Sequence, residues 1–233
     1  MNGQQLRSAR KQKGWNQEQA ATKLGVSQAY LSLLESGVRR VPETLAVKAV
    51  RVYGLSQTFL PLDAVSAHAS PADDSRLATE LATLGYPGLS HLKSRGHKKN
   101  PAEILLSALS RDDLDTRLVE ALPWVALKFP DLDWQWLTDA AKVNDLQNRL
   151  GFVTGVARRL AELRGERESA SLLARQELAL ERSRLMREDT LCHESLTEAE
   201  RRWLRKNRPT EAKYWRLLTD LAPEQLDHAG AFF

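Results

Sequence analysis

Residues 16–36, NQEQAATKLGVSQAYLSLLES, constrain the fold more than any other stretch. A helical pattern over Gln17 to Leu24 stops at Gly25, and a second one begins three residues later at Gln28. Asn16 is a good N-cap for the first helix, and Gln19 stands where a capping box needs it. Ala20, Ala21 and Leu24 form its apolar face. Gly25 sits where helices end in the left-handed conformation. Ser27 caps the second helix, expected over Gln28 to Ser36, with Leu31 and Leu34 pointing inward and Gly37 closing it. Val26 and Leu31 are placed for a hydrophobic staple. The glycine permits a sharp bend and the small alanines permit close approach.

The flanks extend this pattern. Leu6 and Ala9 mark a helix running to about Lys13 and stopping at Gly14, and Trp15 is placed to staple onto Ala20. Pro42 fits the first turn of a fourth helix carrying Leu45, Ala49 and Val52 as far as Gly54. Ser56 opens a short fifth helix with Phe59 and Leu60. Two helices joined by Gly25-Val26-Ser27 make a helix-turn-helix. Charge is uneven as well: residues 1–60 carry a net +6, residues 61–99 a net +1 and residues 100–233 a net −3, for a total of +4. A basic head on a mildly acidic body suits nucleic-acid contact. A solvated basic face would look the same, so the motif has to decide.

The stretch LRSARKQKGWNQEQAATKLGVSQAYLSLLESGVRRVPETL resembles the Xre/Cro-type helix-turn-helix repressors. LRxxR, the Gln opening the second helix, LGVSQ, LxxLExG and the following Pro all occur in the family's order. The resemblance covers about residues 3–62. It implies a five-helix domain that binds duplex DNA.

With Leu31 and Leu34 buried, the opposite side of the third helix carries Gln28, Ala29, Ser32 and Leu33. The N-terminal end of a recognition helix enters the major groove. There Gln28 can pair with adenine N6/N7, Ser32 with several bases, and Ala29 with a thymine methyl. The resemblance implies that Gln17 contacts a phosphate or braces the first recognition glutamine. It also implies backbone contact from Arg39 and Arg40, and a structural ion pair between Arg10 and Glu35. Ser27, at the helix N-terminus, lies where backbone N–H groups meet phosphate. Leu33 departs from the family, which often has a polar or basic residue there. An apolar side chain suits a thymine methyl, weaker base reading or a protein contact.

Residues 63–100 read as a linker. DAVSAHASPADDS is small and polar, a short helix is expected over Arg76 to Leu84, and a basic loop, 91–99, holds Lys93, Arg95, His97, Lys98 and Lys99. That loop suits either added phosphate contact or a solvated surface. Residues 101–233 read as a helical-bundle domain without β pattern. Helices are expected from Pro101, over Asp112 to Leu122, from Asp133 to Gly165 as one long element, over 166–188, over 198–207, and from Thr210 to Pro223. Pro123 and Pro130 bracket WVALKF and argue against a straight helix there. Gly151 and Gly155 permit close packing. Trp124, Trp134, Trp136, Trp203 and Trp215 suit either core or ligand contact. The charged helix 166–188 could serve as a dimer arm.

The fold class expected is therefore all-α: a helix-turn-helix domain, 1–62, then the linker, then a helical dimerisation or partner-binding domain. Cys192-His193-Glu194 is the one close cluster of reactive types, and neighbours on a chain seldom face each other. No phosphate-loop, dinucleotide, zincin or nucleophile-elbow motif occurs. No enzyme activity, cofactor or metal is expected, and one cysteine allows no intramolecular disulfide. The polar N-terminus and the lack of a long apolar run argue for a cytoplasmic protein without a membrane span. The segment ALPWVALKFPDLDWQWLTDAAKVNDLQNRLGFVTGVARRLAE is similar to C-terminal regions of helix-turn-helix proteins encoded beside nucleotidyltransferase-type toxins. That resemblance implies an autoregulating antitoxin whose body binds the toxin. The expected partners are operator DNA, a second copy in a homodimer, and a cognate toxin. The alternative is a ligand-responsive regulator with a pocket in the body.

Overall fold

The computed structural model describes residues 1–62, 73–92 and 99–228. The chain divides into two compact units, Met1–Leu62 and Asp63–Phe233. Among the described residues the regular secondary structure is almost entirely helical, and no helix is long and apolar enough to cross a membrane.

The N-terminal unit holds α1 (Gly3–Gln12), α2 (Gln17–Leu24), α3 (Gln28–Glu35), α4 (Glu43–Tyr53) and a single 3-10 turn at Gln57–Phe59. Short helices are marginal alone, so caps and a shared core hold them. Asn2 with Gln5 and Asn16 with Gln19 form capping boxes, and Ser27 Oγ accepts the Tyr30 N–H at 3.2 Å. Gly25 adopts φ +67°, and the next N–H, from Val26, reaches back to the Ala21 carbonyl at 3.0 Å. Leu6, Ala20, Leu24, Leu31, Leu34 and Ala49 pack into one core between the four helices. The approach is close enough that a Cβ on Gly3 would collide with the Leu34 carbonyl. Two expectations shift. Pro42 is the N-cap of α4 rather than its first helical residue, and the fifth helix is only the 3-10 turn, which Ser56 caps.

The C-terminal unit is organised around α9 (Gln147–Leu163), buried from Gln147 to Ala157 and again at Leu160 and Ala161. It packs against α7 (Thr116–Lys128), α8 (Trp134–Val143), α10 (Arg167–Glu181), α12 (Thr210–Tyr214) and α13 (Pro223–His228). The remaining helices are α5 (Asp74–Leu84), α6 (Pro101–Leu109) and α11 (Glu198–Asn207). The linker reading changes at α5. Its Leu77, Leu81 and Leu84 are buried and it packs on α6 and α7, because an amphipathic helix needs an apolar partner. Lys99 joins this region through Glu80 at 2.6 Å, whereas Lys93, Arg95, His97 and Lys98 lie outside the described residues.

Other differences have local causes. Pro123 lies inside α7, which continues to Lys128 with a buried run from Leu118 to Leu127 that only Glu120 interrupts. Burial of that run outweighs the roughly 3 kcal/mol cost of an interior proline. The long helix expected from Asp133 breaks at Asn144–Leu146, where Asp145 takes φ +58°, and separate α8 and α9 result. α10 stops at Glu181, because Asn148 grips the backbone of Leu185 through both its N–H (2.8 Å) and its carbonyl (3.0 Å). The helix opened near Thr210 ends at Tyr214 before Arg216 at φ +56°, and Pro223 begins a helix rather than ending one. There is also a small sheet: β1 (Asp189–Thr190) pairs in parallel with β2 (Leu217–Leu218).

Buried Arg149 of α9 ties these pieces together. It grips Asp189 bidentately at 2.9 and 3.0 Å and donates to the carbonyls of Leu109 (2.9 Å) and Arg111 (2.7 Å). Trp124, Trp134 and Trp215 are core residues, whereas Trp203 is 55% exposed. Gly151 lets α9 come close to Trp215, since a Cβ there would overlap the indole ring. At Gly155 the nearest obstacle is the carboxylate end of Glu177, which Arg158 holds at 2.7 Å but which, unlike an indole ring, can turn aside. Gly151→Ala should therefore destabilise the C-terminal unit by about 1–3 kcal/mol, and Gly155→Ala by much less. Urea unfolding followed by tryptophan fluorescence distinguishes the two, and equal midpoints would contradict the packing described.

Candidate nucleic-acid interface

The exposed side of α3 carries Gln28, Ala29 and Leu33, with Ser32 half-buried between them. Leu31, Leu34 and Glu35 face the interior. Helical periodicity alone sets this division, because residues three and four apart share a face.

Beneath the exposed side runs a chain of polar side chains. Arg10 Nε donates to Glu35 Oε1 at 2.6 Å, and Arg10 Nη2 to Glu35 Oε2 at 2.9 Å. A third donor, Nη1, caps the Trp15 carbonyl at 2.8 Å. Gln17 Nε2 donates to Glu35 Oε2 at 3.1 Å, and Gln28 Nε2 donates to Gln17 Oε1 at 2.9 Å. The direction of every bond follows from the carboxylate, which only accepts. Gln17 must turn its amide N–H₂ toward Glu35 and its oxygen outward. Gln28 must then commit one N–H to that oxygen. One N–H and the Oε1 of Gln28 remain, the donor–acceptor pair that matches adenine N7 and N6.

The ion pair is buried, with Arg10 at 9% and Glu35 at 4% exposure. Burial on its own would push the Glu35 carboxyl up; the hydrogen bonds from Arg10 and Gln17 outweigh it and hold the group below its ordinary value. Gln17, read from sequence as a phosphate contact or a brace, is seen here bracing Gln28.

Arg39 and Arg40 are exposed in the loop after Gly37, which turns at φ +77°. Arg39 is positioned twice. Its N–H donates to the Leu33 carbonyl at 3.1 Å, and its guanidinium lies 5.8 Å from the centre of the Tyr30 ring. Burial and the positive charge of Arg40 together lower the pKa of the Met1 amino group. Sequence reasoning passed over Tyr30 and Val38, which is 72% exposed beside Arg39. An aromatic at the third residue of α3 is the sequence signal for Tyr30; Val38 carries none. The structure brings Gln17, Gln28, Arg10 and Glu35 into direct contact, and it places Ser27, Ala29, Ser32 and Leu33 along the same helix.

In the C-terminal unit the Cys192-His193-Glu194 cluster is split by burial. Cys192 is fully buried, and desolvation raises its thiol to about 11, while His193 and Glu194 are exposed. A buried, protonated thiol is a poor nucleophile.

Glu35→Ala should destabilise the N-terminal unit by about 3–5 kcal/mol, because it strands a buried guanidinium. The pair also sets a pH dependence. A carboxyl held below its ordinary value stabilises the fold above that value and loses the contribution as pH falls through the depressed one. The N-terminal unit should therefore weaken below about pH 4.5, the ordinary value, and this slope should be reduced in Glu35→Gln. Urea titrations at several pH values read both effects.

Residues 6–60 match the family model described as Helix-turn-helix. No curated protein and no solved structure matches the chain. The matched span coincides with the N-terminal unit, its core and the α2–α3 pair just described. The N-terminal unit is thus a helix-turn-helix domain of the Xre/Cro type, and a domain of this kind supports a role in DNA-binding transcription regulation.

Proposed function

We propose that the chain is a sequence-specific repressor that reads duplex operator DNA with α3. Gln28, Ala29, Ser32 and Leu33 meet base edges, Ser27, Arg39 and Arg40 meet the backbone, and Gln17 braces Gln28. The observation that carries this reading is the orientation of Gln28, exposed on α3 and held through Gln17 by a buried ion pair. A side chain fixed in advance gives up less conformational entropy on binding, which favours base discrimination. Arg39, stacked beside Tyr30, supplies charge without sequence preference.

The body completes the proposal. The chain acts as an autoregulating antitoxin: the C-terminal unit binds a cognate toxin, and two copies engage a palindromic operator. What supports the antitoxin reading is the resemblance carried by residues 121–162. Most of those residues lie in the buried parts of α7, α8 and α9, so the likeness concerns the packing of this unit. The toxin contact then falls on its outer faces. We assign the chain no catalytic role, in keeping with the buried, protonated Cys192.

Anisotropy on DNA from just upstream of the gene, against a scrambled duplex near physiological salt, tests the reading. A preference of about 10³-fold or more is expected. Gln28→Ala should cost roughly 1–3 kcal/mol and relax preference at one base pair. Arg39→Ala should weaken binding to all sequences and flatten the salt dependence. Equal losses on cognate and scrambled DNA for both variants would remove Gln28 from base reading.

A further inference from the structure

A cleft in the C-terminal unit, about 420 Å³ in volume, opens between α7, the 191–196 segment, α11 and the 218–225 segment. Its size falls in the range of small-molecule sites. Val119, Leu196, Leu204 and Leu221 give it apolar walls, and Trp203 stands at its edge with over half its surface free. Three carboxylates line the same cleft: Glu120, Glu200 and Asp220. Among the described residues no Lys or Arg lines it, although α11 itself carries Arg201, Arg202, Arg205 and Lys206. The three arginines are engaged elsewhere: Arg201 pairs with Glu194 at 3.0 Å, Arg205 with Glu188 at 2.8 Å, and Arg202 caps the Glu198 carbonyl at 3.2 Å.

None of the three carboxylates is in an ion pair among the described residues. Glu200 is held in place by Thr197, whose N–H and hydroxyl both donate to its Oε2 at 2.7 Å. The same hydrogen bonds lower its pKa and keep it anionic. Cys192 and His193 are the remaining ionisable groups on the lining, and Cys192 is buried with its thiol retained. An apolar cleft lined by one sign of charge concentrates the opposite one. An indole face adds its own attraction for a cation, the strongest among the aromatic side chains.

We propose that this cleft binds a small organic cation, an ammonium group carried on an apolar body, with the charge beside Glu120, Glu200 and Asp220 and the body against Trp203 and Leu204. The site lies wholly within the C-terminal unit and is independent of operator reading, so it can fail without touching that assignment. Selectivity comes from carboxylates that no ion pair neutralises, and affinity from the apolar walls.

The test uses the full chain and benzyltrimethylammonium, with phenylmethanesulfonate as a twin of similar body and opposite charge. The indole N–H signal of Trp203, identified by its loss in Trp203→Phe, reports occupancy in a nitrogen–proton correlation spectrum. The cation should shift that signal with a Kd of about 1 mM or tighter, and the sulfonate should bind at least ~10-fold more weakly. Glu120→Gln with Asp220→Asn should weaken the cation at least ~5-fold without changing the melting temperature, since neither carboxylate supports the fold through an ion pair. Equal binding of cation and sulfonate would overturn the proposal, as would an unmoved Trp203 signal at ~10 mM cation. Unchanged cation affinity in the double variant would overturn it too. Thermal shift with the same two ions gives a second readout of occupancy.

Discussion

The N-terminal unit depends on one interaction, the buried contact between Arg10 and Glu35. It joins the first helix to the last turn of the third, and its geometry is bidentate, at 2.6 and 2.9 Å. Two ions taken out of water gain little unless their remaining donors and acceptors are also satisfied. Here they are: Arg10 caps the Trp15 carbonyl, and Gln17 supplies a further donor to the carboxylate. The same contact that locks the helices therefore sets the orientation of Gln17 and, through it, Gln28. The stability of the unit and the orientation of Gln28 are coupled because one carboxylate can only accept.

The C-terminal unit solves a similar problem differently. Its central helix α9 is buried almost throughout, and its polar residues are used as pins. Arg149 gathers Asp189, the carbonyl that ends α6 at Leu109 and the carbonyl of Arg111 just beyond it, and Asn148 holds the backbone after α10 has ended. Segments far apart in sequence, near 109, 148, 185 and 189, are thereby brought to one place. Each pin satisfies backbone groups at or just beyond a helix end, which regular structure does not pair.

Much of the head was legible because its signals are local. Asn16, Gly25 and Ser27 act on residues within four positions of themselves, and each cap lies where the spacing places it. Leu31 and Leu34 face inward because three residues make nearly one helical turn. The body was less legible for the same reason reversed. Pro123 and the Asn144–Asp145 pair are both local breakers; the first is absorbed into a helix and the second splits one. What separates them is the apolar surface buried around Pro123, and no window of sequence contains that quantity.

Sequence by itself determined the helix-turn-helix, the buried faces of its helices and the residue types on its exposed side, because capping and periodicity are nearest-neighbour physics. It also supplied the partners of the Arg10–Glu35 pair, although only through resemblance. Tertiary structure alone decided the direction of the Gln17–Gln28 bond, the packing of α5 into the C-terminal unit and the burial of Cys192. It alone put an exposed indole and three carboxylates without ion pairs on the lining of one cleft. Those outcomes depend on contacts between residues tens of positions apart, and such contacts exist only once the chain has closed on itself.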